Sequence, residues 1–459
     1  MGAHARRRVP GWVVAALVAA VILELVGGGL AARSLLQQRS TTARPVSAAP
    51  VPASVAARPA PTTTAVQARR AAVEALLSRR GAAVLAHDRA GFLATVDANS
   101  PEFLAGQAAL YDNLSGVAFS TWDYQLDAAS DHVIPAATDQ RLGAEAWLPT
   151  VVLRYGLAGF DAQPAQASQY LTFVRRGEAW LVSGDADIDD SGVHTARDLW
   201  DFGPVEAQQT ATSLVLGHPG SRAARRGLAA DIAAAVPRVS AVWGTDWAQK
   251  VVVLTPDSQE ELTRILGATT DLSQIAAVAT AELTRGPAGR TSPVGDRIVV
   301  NPVNAAKLSA AGRRVVLTHE VTHVASRAAT GQAVPAWLVE GLADYVGYLD
   351  SGVSVASAGR ELRGDIRAGR LPERLPTDED FLATNPALSQ IYEQAWLACR
   401  LIVRRSDQAT LVQLYRQVGA AAPGTPGDRA LGDAFAALLH TDLASFTGDW
   451  RSYLPTELS

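Results

Sequence analysis

Three arginines, Arg6, Arg7 and Arg8, precede an apolar run over residues 11–32. A run of that length can cross a hydrocarbon core of about 30 Å. Positive charge ahead of it predicts a cytoplasmic N-terminus and an exported remainder. Glu24 interrupts the run, and a carboxyl at that depth is costly. A cleaved signal, with its apolar core over 12–23 and small residues near 29–32, is therefore the alternative. The pattern predicts a basic cytoplasmic tail (1–10) and a transmembrane anchor or signal (11–32). The chain is then single-pass in the cytoplasmic membrane, with its domains outside, or secreted if cleaved. Residues 33–66, rich in Pro, Thr and Ala, hold no core-forming pattern and read as a semi-extended spacer.

Beyond the spacer, Ala72, Val73, Leu76, Leu77, Ala83 and Leu85 recur at helical spacing and predict a helix over 69–86, then a shorter one over 89–96. Strand patterns follow at 117–126, 147–157, 169–175 and 179–183. The last two are joined by the turn signal Arg176-Gly177-Glu178. Helices followed by antiparallel strands, over residues 67–188, resemble the nuclear transport factor 2-like fold, a curved sheet wrapped on helices. His87, Asp97, His132 and Asp185 form no recognisable constellation there, and that fold by itself assigns no chemistry.

After a connection at 195–204, helical patterns are expected at 205–216 and 222–236, a strand at 251–254, and a helix over 259–266 behind the Pro256-Asp257-Ser258 turn. Strands at 276–280 and 297–301 precede helices that fill the rest. Strands and helices segregated in this way predict an α+β class. At 459 residues the chain suits two domains, 67–200 and 205–459.

Composition changes this picture little. Hydrophobic residues make up 48%, enough for two cores, and the net charge of −4 with no basic stripe gives no reason to expect a nucleic-acid partner. Cys399 is the sole cysteine, so no intrachain disulfide can form; in its apolar setting it reads as a buried, inert thiol. His440 is isolated and reads as structural.

The chemistry concentrates in residues 313–349, RRVVLTHEVTHVASRAATGQAVPAWLVEGLADYVGYL. His319 and His323 stand four apart, which on a helix stacks both imidazoles on one face within reach of one metal ion. Glu320 neighbours that face and can reach an attacking water without being a ligand. Gly331 stops the helix, and Pro335 opens a second one carrying Glu340 and Asp344 on a shared face. The short connection turns that helix back towards the histidines. Of the two carboxylates, one can bind the metal and the other can accept an imidazole N–H; Glu340, first after the turn, is the better ligand.

HEVTH followed by PAWLVEGLADYV resembles the gluzincin zinc peptidases, the thermolysin-like and aminopeptidase-like clan, over roughly residues 297–405. The resemblance implies one Zn2+ held by His319, His323 and Glu340, Glu320 as general base, and Asp344 as the partner of a ligand imidazole, His319. The interval from His323 to Glu340 is a little shorter than in well-known members. A metzincin would need a further histidine soon after His323, and there is none. IYEQAWLACRLIV, residues 391–403, is similar to an aminopeptidase-like helix whose tyrosine stabilises the oxyanion, which would give Tyr392 that role. The strand at 296–302 stands where the clan has its edge strand, although a central core strand fits the sequence equally.

These readings predict a membrane-anchored, extracytoplasmic zinc metallopeptidase acting on a peptide or protein substrate. The competing reading is a membrane-tethered binding or scaffold protein with an inactive zinc-bound peptidase-like domain. The intact Glu320 counts against it.

Overall fold

The computed structural model describes residues 63–267, 272, 275–285, 291–422 and 424–459. Among them, 63–159 with 164–196 form one compact unit and 160–163 with 197–459 a second.

In the first unit, α1 (Thr63–Leu85) is followed by α2 (Arg89–Leu93) and α3 (Pro101–Asn113). The strands β1 (Phe119–His132), β2 (Ala146–Leu157), β3 (Ala165–Tyr170), β4 (Thr172–Arg176) and β5 (Ala179–Gly184) then build an antiparallel sheet, with α4 (Ala136–Leu142) between β1 and β2. The sheet order is β1-β2-β4-β5, and β3 also pairs with β2. Val73, Leu76 and Leu77 of α1 lie on the sheet's Trp147, Val151, Phe173, Trp180 and Val182. This is the stripe that the helical spacing predicts. Arg80 continues the same stripe into the core. Its guanidinium lies 3.8 Å from the Phe92 ring centroid, and it donates to Thr95 and Gln107, so the buried donors are met by a π-face and neutral acceptors.

Two departures from expectation have local causes. The helix α3 carries no apolar stripe, since Gln107 is its only buried residue, and so it gives no periodic signal. The strand expected over 169–175 is two strands. Thr150 pairs with Tyr170 on β3, whereas Trp147 pairs with Phe173 on β4, so the chain changes partners at Leu171.

The second unit begins with β6 (Glu206–Gln209) and β7 (Ser213–Gly217), a hairpin where a helix is expected over 205–216. Thr210 Oγ1 accepts the N–H groups of Thr212 and Ser213 and closes the turn, while Ser213–Gly217 is buried throughout as an inner strand. A short, continuous apolar run does not reveal its period, which is why the helix reading fails. Next come α5 (Arg222–Trp243), β8 (Val251–Thr255), α6 (Gln259–Leu266), β9 (Ala277–Arg285) and β10 (Thr291–Val300). The helix α5 runs through Pro237 instead of stopping before it, because Ile232, Val236, Val239 and Val242 form one buried face across the proline. The sheet order is β6-β7-β8-β10-β9, parallel at β7–β8 and β8–β10 and antiparallel at its margins. The strand over 296–302 is thus central, and the sheet's edges are β6 and β9.

Helices complete the unit: α7 (Pro302–Ala305), α8 (Ala310–Ser326), α9 (Ala336–Tyr348), α10 (Val355–Ala358), α11 (Arg360–Arg367), α12 (Leu388–Arg405), α13 (Gln408–Gly419), α14 (Gly427–Leu439) and α15 (Leu443–Glu457). One apolar core joins the sheet, α5, α8, α9 and α12. At Gly341 the α9 backbone meets α12 closely: a Cβ there would overlap the carbonyl of Ala395 and lie 2.7 Å from Cys399 Sγ. Cys399 is fully buried, and burial raises its pKa well above the ordinary thiol range.

The α+β class stands, but the expected N-terminal transmembrane helix is corrected. Among the described residues no helix is long and apolar enough to cross a membrane. The segment 11–32 itself, with the tail 1–10 and nearly all of the spacer, lies outside the described residues. The placement as a single-pass protein of the cytoplasmic membrane rested on that helix and is withdrawn with it.

Candidate metal centre

The helix α8 starts at Ser309, whose hydroxyl accepts the Gly312 N–H. Every residue from Val315 to His323 is buried, so the two histidines project into the interior and not into water. The helix α9 starts after Pro335, and the Asp378 carboxylate accepts the Ala336 N–H at 2.8 Å, capping the helix that presents Glu340.

Three ligand atoms converge between these helices. His319 Nε2 and His323 Nε2 lie 2.8 Å apart, and Glu340 Oε2 is 3.3 Å from the first and 3.4 Å from the second. These are the atoms of the cluster able to hold a metal ion found among the described residues. Tetrahedral zinc with bonds of about 2.0–2.2 Å sets its ligand atoms roughly 3.3–3.5 Å apart. Both Glu340 distances match that spacing, and the His–His distance is shorter. Glu340 Oε2 is buried and receives no hydrogen bond of ordinary geometry among the described residues.

Asp344 Oδ1 stands 2.8 Å from His319 Nδ1. A carboxylate accepts, so His319 carries a proton on Nδ1 and turns its Nε2 towards His323 and Glu340. With Nδ1 held by a carboxylate, Nε2 is the nitrogen placed to bind a metal. The donor set therefore fits one zinc ion.

The electrostatics of the protein groups alone show how tightly the cluster is coupled. Burial alone would lower the His319 pKa, but the Asp344 and Glu340 carboxylates overcome it and the pKa is raised well above its ordinary value. Burial would raise Glu340, yet the two imidazoles hold it down to about 2. Burial raises Asp344 above the usual carboxylate range, against the pull of His319.

Glu320 follows His319 on α8. It is fully buried, and its Oε2 accepts the backbone N–H of Ala279 at 2.8 Å. Ala279 lies on the edge strand β9. Ala276, just before β9, accepts the Asn301 N–H on the β10 side, so by alternation Ala277 and Ala279 turn their backbone groups away from β10. The general-base candidate is thus tied to the sheet edge.

The structure brings together His319, His323, Glu340 and Asp344, with Glu320 adjacent on α8. Tyr392 lies in the second turn of α12, 3% exposed, its ring edge-on to Phe381 at 5.2 Å between centroids. Sequence reasoning missed Asp378 and the Ala279 amide. An aspartate 42 positions downstream gives no local capping signal, and a backbone donor carries no residue identity. In the first unit, Asp97 pairs with Arg176 at 2.7 Å and His132 meets Thr150 at 2.9 Å. No family model matches the chain, and a search of characterised proteins finds no match.

Proposed function

We propose that the second unit is a zinc-dependent metallopeptidase of gluzincin type. The observation that carries this reading is the convergence of His319 Nε2, His323 Nε2 and Glu340 Oε2 in a buried site, with Asp344 fixing the proton of His319. One zinc ion held by these three groups supplies Lewis acidity towards a scissile carbonyl and the attacking water.

The remaining roles belong to the chain. Asp344 keeps the His319 proton on Nδ1, so that Nε2 faces inward. Glu320 takes the proton of the attacking water and returns it to the leaving amine. Its carboxylate is aimed by the Ala279 N–H, and a buried carboxylate with one oxygen so held keeps a fixed direction. In this reading the Tyr392 hydroxyl supports the oxyanion, a contribution of a few kcal/mol in acyl-transfer sites.

Digestion of a broad peptide library with purified protein, with and without chelator, tests the activity. Glu320→Gln is expected to retain zinc and lose turnover. Full activity of Glu320→Gln removes the mechanism, and zinc binding with no cleavage of any peptide favours a scaffold instead. Tyr392→Phe is expected to lower kcat with zinc content unchanged.

A further inference from the structure

The turn between the two metal-site helices is gripped from outside by α13. After α8 the chain makes a short helical turn, Arg327–Ala329, and reaches Thr330 and Gly331 before entering α9. Thr330 Oγ1 is 3.1 Å from the Ser326 carbonyl and 2.6 Å from the Tyr415 hydroxyl. A carbonyl only accepts, so Thr330 donates to Ser326 and accepts from Tyr415. The hydrogen-bond chain therefore runs from Tyr415 through Thr330 to Ser326, three residues beyond His323 on α8.

Tyr415 has no freedom to move. It is fully buried, with its ring edge-on to Trp243 of α5 at 5.3 Å. Burial, with the nearby Glu340 carboxylate adding to it, pushes its pKa up to about 12 against the hydrogen bonds of Thr330 and Ser326, so the hydroxyl stays a neutral donor. One turn later, Gly419 touches the same connection. A Cβ on Gly419 would overlap the Ala329 carbonyl, and one on Gly331 would overlap the carbonyl of Gly419. Two backbones meet at a distance that only a pair of glycines permits.

We propose that the Tyr415–Thr330 hydrogen bond and the Gly331–Gly419 contact position Glu340 against His319 and His323, so that metal affinity and coordination geometry are set from α13. The inference rests on the metal-site reading above. Tyr415, Thr330 and Gly419 act as positioning residues: they touch the connection, and the connection fixes the entry of α9 and hence the place of Glu340. The interval from His323 to Glu340 leaves little slack to absorb an error there.

The test is zinc affinity by chelator competition, together with the visible spectrum of the Co2+-substituted full chain. Tyr415→Phe and Thr330→Val each remove one hydroxyl and keep the bulk of the side chain. Each is expected to weaken zinc a few-fold, less than the roughly 10-fold low end for groups that touch a ligand directly, and to alter the Co2+ bands. Thr330→Ser keeps the hydroxyl and is expected to bind as wild type. Gly419→Ala is expected to weaken zinc further. Phe435→Leu, in the core at α14, serves as a control that lowers Tm and leaves both metal readouts unchanged. Wild-type affinity and spectrum in Tyr415→Phe and Thr330→Val overturn the inference and leave the metal site standing. Failure of the wild-type chain to bind zinc or Co2+ overturns the metal reading, and the inference with it.

Discussion

Among the described residues of the second unit, two buried histidine–carboxylate clusters differ in where their polar atoms point. At His218, Nδ1 meets the Pro204 carbonyl at 2.9 Å and Nε2 meets Glu261 Oε1 at 2.5 Å. The carbonyl can only accept, so Nδ1 donates. Glu261 takes the Asp257 N–H on its other oxygen at 2.8 Å. Both ring nitrogens of His218 then donate, and the imidazolium closes the account with protein groups alone. At the candidate metal centre Asp344 takes Nδ1 of His319. Its second nitrogen, His323 Nε2 and Glu340 Oε2 face one another. At His218 each ring nitrogen has its own protein partner, whereas at the candidate metal centre three ligand-type atoms converge on one point, an arrangement that suits a cation.

The contrast is broken most severely at the ligands. His323→Ala is expected to weaken zinc by more than about 100-fold, beyond the 10–100-fold range of groups that only support a ligand. Glu340→Gln removes the only carboxylate among the three ligand atoms and is expected to act in the same direction. Competition with a chromophoric chelator reads both, and retention of tight stoichiometric zinc in His323→Ala would exclude it as a ligand.

A smaller loss is expected at Asp344. With Asn there, the amide can donate as well as accept, and His319 loses the group that fixes its proton on Nδ1. The expected weakening is about 10–100-fold with one zinc still bound. Unchanged affinity would mean that the 2.8 Å contact does not set the His319 tautomer.

Zinc itself sharpens the comparison. A ligand that binds only the folded chain stabilises it by about 2.7 kcal/mol at a free concentration of 100 Kd. Thermal unfolding with added zinc is therefore expected to rise in wild type and in His218→Gln, and to stay flat in His323→Ala. A zinc-dependent Tm in His323→Ala would move the binding site elsewhere.

The sequence was most legible where residue identity and helical spacing coincide. HEVTH places two imidazoles on one face of α8 because four residues make about one helical turn, and the buried flanks of that helix could be read directly. Glu340 and Asp344 follow from the same rule applied to α9. The helix Gln259–Leu266 is found within its observed bounds behind the Pro256-Asp257-Ser258 turn, where the Ser258 side chain accepts the Glu261 N–H. The hairpin at Glu206–Gln209 and Ser213–Gly217 was not legible: hydroxyls closing a turn and one fully buried strand look like part of a helix until pairing is known. Which strand forms the sheet edge was equally hidden, since β9 and β10 have similar apolar patterns and only their partners distinguish them. The support from Asp378, Ala279 and Tyr415 was hidden for a third reason: these groups reach the site across long sequence separations and leave no local periodicity.

The smallest expected effect on the metal centre, none, belongs to His218, where the comparison makes a separate claim about protons. The hydrogen bond to Glu261 raises the His218 pKa above its ordinary value, with burial opposing it and the Pro204 carbonyl adding to it. A histidine whose folded-state pKa is raised stabilises the fold fully below its unfolded pKa of about 6.5, and that contribution is lost as pH rises through the folded value. The groups facing it are Glu261 and Asp257 on the α6 side. Arg225 donates to its backbone carbonyl and pairs with Glu206. His218→Gln removes the imidazolium and leaves Arg225 and Glu206 in place. Wild type is expected to exceed His218→Gln by roughly 1.5–3 kcal/mol near pH 6, the range for a hydrogen bond to a charged group. The gap is expected to narrow steadily towards alkaline pH, with zinc affinity equal in the two proteins throughout. Denaturant unfolding of both across that pH range reads the difference directly, since groups common to the two proteins cancel. A gap that stays constant with pH would mean that His218 is neutral in the fold.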